Sequence, residues 1–235
     1  MLCVGVPARN EAGRYLAECL SAAARVADTV VVLDDASTDQ TAEVAASYTP
    51  LVYTAPRPLF ARDERLLRRL LWDLCLGTGA DWIMMLDADE LLECDPAALA
   101  QALADPGAQA LGLRLYDLWD GRGQYRDDEW WSAHTRHHTL AVRSDARPDP
   151  VWPDRPLHCG RFPLGVRRPS LDLECARVLH LGWLAPEDRV RKARRYASMD
   201  PRGEWGWPAQ YASIADPSPR LAPLPPLPRK EAVPA

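Results

Sequence analysis

The stretch "DWIMMLDADELL", residues 81–92, decides how the rest of the chain reads. Residues 82–86 form an unbroken apolar run of the length and composition of a buried strand. Asp87, Asp89 and Glu90 then follow within four positions. Two unit charges about 4 Å apart repel by roughly 4 kcal/mol at an effective dielectric near 20. Three acids at a strand end therefore require a cation, a proton or strong donors. In extended backbone Asp87 and Asp89 point to the same side, which lets them share one ion. The plainer alternative is a set of surface acids, with Glu90 and Glu93 beginning a helix.

Working outward, residues 2–7 (LCVGVP) and 29–33 (TVVVL) are two more apolar runs, the second ending in Asp34 and Asp35. Between them, in residues 8–27, Tyr15, Leu16, Cys19, Leu20 and Ala23 recur at helical spacing. Ser37 with Gln40 three positions on has the spacing of a capping box and predicts a helix start. Residues 51–55 predict a third strand, and residues 59–77 a long helix with a basic face, closed by Gly77. A further helix has Asp95 as its cap, Pro96 at its first position and Pro106 and Gly107 as its stop. Strands alternating with helices predict an α/β fold, a doubly wound and mostly parallel sheet with helices on both faces. Such sheets bind ligands beyond the carboxyl ends of their strands. Acids stand at that edge twice, at Asp34/Asp35 and at Asp87/Asp89.

From about Leu111 the character changes. Residues 110–119, 138–144 and 176–183 look like strands, and seven of the nine tryptophans fall between Trp119 and Trp207. A strongly basic helix is expected from Glu187 to Met199, and the chain is Pro-rich beyond Asp216. The expected organisation is one half over residues 1–110 and a smaller half of the same domain over 111–215. A tail over 216–235 should be extended or disordered. Trp119, Trp130, Trp131 and Trp152 read either as a sugar-stacking surface or as core, with core preferred for at least two of them.

Composition narrows the function. The 28 basic and 33 acidic residues give a net charge of −5, against the basic surface a nucleic-acid binder needs. Six scattered cysteines form no CxxC pair, which argues for a reduced, cytoplasmic chain without a thiolate metal site. The first residues lack a signal-peptide pattern. No apolar run approaches the ~18 residues of a membrane span, which leaves only peripheral membrane contact open.

Four motifs in the right order resemble glycosyltransferase family 2. "VGVPARNEAGRYLAECLSAA" (residues 4–23) looks like that family's first strand, turn and helix, and "VVVLDDASTDQT" (30–41) like its Asp-pair motif. "ADWIMMLDADE" (80–90) matches its metal-binding DxD, and "VLHLGW" with "RVRKARRY" (178–183 and 189–196) its later His element and basic helix. The resemblance implies a GT-A-like fold whose smaller C-terminal region faces the acceptor. It also implies a nucleotide-sugar donor, with UDP-sugars the commonest, a divalent metal (Mn²⁺ or Mg²⁺) and inversion at the anomeric carbon. The acceptor would be a saccharide or a lipid-linked saccharide. Carried over by position, Asp35 contacts the base with Asp34 beside it, and Pro7, Arg9 and Glu11 line the nucleotide edge. Asp87 reaches the ribose or a metal-bound water, Ala88 adjoins the donor, and Asp89 and His180 ligate the metal, with Asp87 a further ligand candidate. Arg191, Lys192, Arg194 and Arg195 on one side, and Arg62 and Arg65 on the other, can add positive charge against a leaving diphosphate.

The catalytic base is where the resemblance breaks. Related sequences carry a His-Glu step where this chain has His158-Cys159. Asp154 in "WPDRPLH" is the first candidate, Glu129 in "RDDEWW" the second and His158 the third. Two other readings stand beside the transferase. One is a non-catalytic sugar- or nucleotide-binding protein on the same fold. The other is a haloacid-dehalogenase-type phosphatase, which would place its DxD strand first rather than after an Asp pair.

Overall fold

The computed structural model describes residues 1–145, 151–166 and 170–228. Three short parallel strands start the sheet: β1 (Leu2–Ala8), β2 (Thr29–Asp34) and β3 (Val52–Thr54). Between and after them run α1 (Leu16–Ala24), α2 (Thr41–Ala46) and α3 (Glu64–Leu76). Next come β4 (Trp82–Met85), β5 (Glu90–Cys94), α4 (Pro96–Ala104) and β6 (Ala110–Asp117). The second half adds β7 (Gln124–Arg126), β8 (His137–Arg143), β9 (Ser170–His180), α5 (Pro186–Met199), α6 (Pro208–Ser213) and β10 (Leu221–Pro223).

Eight strands form one sheet in the order β3-β2-β1-β4-β8-β6-β9-β5. Four of its seven pairings are parallel, and the antiparallel ones all involve β8 or β5. The period-2 alternation of the strands explains the two cores. Leu2, Val4 and Val6 of β1, Val30 and Val32 of β2, and Trp82 and Met84 of β4 pack with α1 and α4 on one face. Cys3, Val31, Leu33, Ile83 and Met85 pack with Leu67, Leu71, Trp72 and Cys75 of α3 on the other. At Gly5 a Cβ would stand 2.6 Å from Cys75 Sγ, so the glycine is what lets α3 lie this close to β1. Helices on both faces of a mostly parallel sheet are the expected arrangement.

Several local expectations are corrected. Ser37 caps no helix: α2 starts at Thr41, and residues 36–40 form a loop tied to Asn10. Asn10, at φ 55°, donates from its backbone to Ser37 Oγ (2.9 Å) and accepts from Thr38 N–H (2.8 Å). The side chain of Asp63 accepts from Arg65 N–H and starts α3 four residues after Leu59. Glu90 and Glu93 lie in β5, which pairs antiparallel with β9 instead of entering a helix. In the Pro-rich tail, residues 221–223 pair with β7, while residues 229–235 lie outside the described residues. Of the four tryptophans weighed as a stacking surface, Trp119 and Trp131 are buried to 1% and 2% exposure, with the Arg126 guanidinium over both rings.

Candidate active site

The carboxyl edge of the sheet is built by register. Glu90 of β5 stands opposite His180 of β9, and His180 stands beside Asp117 of β6, so three strand ends set these side chains in a row. The chain leaves β9 through Leu181, whose N–H donates to Asp89 O (2.8 Å) and brings Asp89 alongside His180. His180 Nδ1 lies 2.8 Å from Asp117 Oδ1, and His180 Nε2 lies 3.6 Å from Asp89 Oδ1. Lys192, from α5, places its Nζ 3.0 Å from Asp89 Oδ2 and 2.9 Å from His180 Nε2. Gly182 leaves the room for this. A Cβ there would lie 2.0 Å from Asp89 Oδ2 and 2.3 Å from Lys192 Nζ.

The protonation of His180 follows from these contacts. Burial and Lys192 lower its proton affinity, but Asp89 and Asp117 outweigh them and pull it up to about 9. Lys192 Nζ, 2.9 Å from Nε2, is the cation that opposes this pull, and Asp117 on Nδ1 anchors the ring. Asp89 itself, although burial opposes it, is held well below the usual carboxylate range by Lys192 and His180.

Asp87 does not share a cation with Asp89. Arg68 of α3 donates to Asp87 Oδ1 (2.7 Å), and Arg161 stands 3.8 Å from its other oxygen. Although burial opposes it, these guanidinia hold its carboxyl well below the ordinary range. Arg68 also pairs with buried Glu64, and Arg161 grips Glu90 with two nitrogens, at 2.7 and 2.5 Å. Glu90 Oε2 in turn accepts from the Asp87 N–H (2.9 Å), which fixes the backbone of the motif. Arg68 and Arg161 are the functional residues that sequence reasoning missed. Arg68 sat in the basic face of the long helix, whereas nothing local marked Arg161.

The remaining candidates scatter around this centre. Asp34 and Asp35 are both turned inward, at 2% and 1% exposure. Asp34 Oδ1 accepts from Ser37 N–H (3.2 Å). Asp35 accepts from the N–H groups of Leu59 (2.5 Å) and Phe60 (3.1 Å), so both oxygens brace the turn before α3. Arg9 donates to the carbonyls of Asp35 and Ala36 and locks that loop to β1, where Pro7 is buried. Ala88 is buried between the two acids. Glu11 is pushed up to about 7 by burial, despite Arg14 beside it, and its Oε2 has no hydrogen-bond partner among the described residues. Arg62 is exposed, and Arg65 is occupied by Asp63 and Asp154.

The expected base fares poorly. The Asp154 side chain is 99% exposed and pairs with Arg65 at the head of α3. Glu129 is exposed in the turn after β7. His158, at φ 56° and exposed, lies tilted against the Tyr196 ring of α5, with Nε2 2.6 Å from the Tyr211 hydroxyl. The next residue, Cys159, donates its N–H to Glu64 (3.4 Å), which ties this segment to the Arg68–Asp87 pair. Of the three, His158 is the one whose chain neighbour contacts the Glu64–Arg68 pair.

A metal can be tested against this geometry. Two donors about 2.1 Å from a shared ion stand roughly 3–4 Å apart, and Asp89 Oδ1 and His180 Nε2 are 3.6 Å apart. A carboxylate on Nδ1 is the usual way of orienting a ligating imidazole. Asp89 and His180 fit a divalent ion; Asp87, held by two arginines, does not join them. No group of three or more potential ligands gathers among the described residues, so the remaining positions would fall to a ligand and water.

The sheet and its flanking helices have the GT-A fold of the solved structures they match, and the chain belongs to glycosyl transferase family 2, whose family model matches residues 3–160. Among curated proteins it is similar to uncharacterized protein Rv3786c of Mycobacterium tuberculosis, at 26% identity over 223 residues, covering 86% of this chain and 51% of that protein. The chain thus spans about half the length of the curated relatives it matches. Among solved structures it is similar to S. aureus TarS 1–349, with a TM-score of 0.54 at 16% identity, covering 91% of this chain and 68% of that one. TarS 1–349 in complex with UDP-GlcNAc superposes at a TM-score of 0.52 and 15% identity, over 91% and 70% of the two chains. No helix among the described residues is long and apolar enough to cross a membrane.

Proposed function

We propose that the chain transfers a sugar from a nucleoside-diphosphate donor to a saccharide or lipid-linked saccharide, with inversion and with a divalent cation held by Asp89 and His180. The observation that carries this reading is their convergence at the sheet edge, with the imidazole oriented by Asp117 and the space kept by Gly182. A metal there would supply Lewis-acid neutralisation of the departing diphosphate. The mixed carboxylate and imidazole set suits Mn²⁺ better than Mg²⁺. Lys192 adds a positive charge inside the cleft, and exposed Arg191, Arg194 and Arg195 extend it outward along α5. A UDP-sugar is the favoured donor, because a protein of the same fold was solved with UDP-GlcNAc.

His158 replaces Asp154 as the proposed base. His158 is exposed, but Tyr196 and Tyr211 packed against its ring shield it from water on that side and lower its proton affinity below that of an ordinary imidazole. It is then neutral at pH 7 and can accept the acceptor's hydroxyl proton. The test is a panel of nucleotide-sugars, with melting temperature and nucleoside-diphosphate release read with and without Mn²⁺. A ligand of the folded state raises its melting point. UDP with Mn²⁺ should stabilise the parent and fail to stabilise Asp89→Asn. His158→Ala should keep donor affinity and lose turnover about a hundredfold, while Asp154→Asn stays near normal. Full metal-dependent binding by Asp89→Asn would refute the assignment.

A further inference from the structure

The place between Asp89 and His180 already contains a positive charge. Lys192 Nζ touches both groups, at 3.0 and 2.9 Å, and lies 4.3 Å from the centre of the Trp183 ring. Its side chain is only 11% exposed. We propose that Lys192 is a tethered counter-cation that keeps this pair closed to free divalent ions and releases it only to metal and nucleoside diphosphate arriving together. The proposal rests on the metal assignment above and gives the chain selectivity for the metal–diphosphate complex over the bare ion.

The reasoning is a matter of where the ammonium can go. A metal ion entering alone must push a buried cation off its two partners, and an uncompensated buried charge is strongly unfavourable. The neighbouring anions are already engaged. Asp87 has Arg68 and Arg161, Glu90 has Arg161, Asp117 has His180, and Asp188 has Arg14 and Arg191. Glu11 has one oxygen to spare but shares its carboxyl with Arg14. A bound diphosphate changes this by giving the ammonium new oxygens within the length of its own side chain, while Asp89 and His180 turn to the metal. By linkage each ligand then tightens the other by the same factor.

The experiment is calorimetric titration of the full chain with Mn²⁺ alone, and with Mn²⁺ at saturating UDP, for the parent, Lys192→Met, Lys192→Gln and Asp89→Asn. Methionine keeps the stem on Trp183 and removes the charge; glutamine serves if the methionine variant does not melt cooperatively. Expected are at least tenfold tighter binding of Mn²⁺ alone by the Lys192 variant than by the parent, and a larger rise in melting temperature from Mn²⁺ alone. UDP should tighten Mn²⁺ a hundredfold or more in the parent and less than tenfold in the variant. Equal affinity of parent and variant for Mn²⁺ alone would overturn the counter-cation while leaving the metal site intact. Undiminished Mn²⁺ binding by Asp89→Asn would overturn both.

Discussion

Arg161→Met gives a direct measure of how the acidic motif is held. Arg161 grips Glu90 with two nitrogens, and the Glu90 side chain is 2% exposed. Removing one partner of a buried pair costs ~3–5 kcal/mol, because the other charge is left uncompensated. The expected loss is about 3–5 kcal/mol, or a fall in melting temperature of roughly 6–20 °C for a chain of this size. Glu90→Gln added to Arg161→Met should recover most of the loss, as no charge then remains to be orphaned. Urea melts followed by circular dichroism test both statements. A penalty below about 1 kcal/mol, or no recovery in the double variant, would refute the buried-pair account.

Two further outcomes are expected. Gly182→Ala should fold, since nothing in its backbone requires glycine beyond space, yet its Cβ must displace Asp89 and Lys192. Calorimetry should show at least tenfold weaker binding of UDP with Mn²⁺, and unchanged affinity would mean the cleft is looser than the contacts indicate. For Glu11, the folded carboxyl is raised from 4.5 to about 7, so the folded state holds the proton more tightly than the unfolded one. Its stability contribution is full below about pH 4.5 and is lost as pH rises through about 7, a change on the order of 3 kcal/mol. Glu11→Gln should flatten that slope in melts from pH 4.5 to 8, and an unchanged slope would show that another group titrates there.

The parts of the fold that were legible in the sequence are those whose neighbours are local. The alternation of β1, β2 and β4, and Asp95 with Pro96 at the head of α4, are set within a few residues. Asp89 and His180 could be paired from "DADE" and "HLGW" by resemblance, and the structure brings them together. Arg161 and Arg68 were not legible as partners, because a guanidinium's partner is chosen by tertiary packing over 71 and 19 positions of chain. Ser37 misled because its hydroxyl was already spent on the Asn10 turn. Asp154 misled because a Pro-rich loop can aim a carboxylate either way, and here it meets Arg65. β5 was hidden for a different reason: its five residues are a strand only because β9 arrives beside them.

That late arrival of β9 has a consequence for how the protein is made. Translation delivers Asp87, Asp89 and Glu90 well before Arg161, His180 and Lys192. At ~5–20 residues per second, the roughly 100 residues between Asp89 and Lys192 take about 5–20 s to emerge. During that interval the nascent chain holds an acidic strand end of which only Asp87, through Arg68, has its counter-charge. It also holds a sheet whose β4 edge waits for β8. The first hundred residues carry the acids of the cleft, but their charges close only when the second half docks. The cleft therefore matures only after the element that carries Lys192 has left the ribosome.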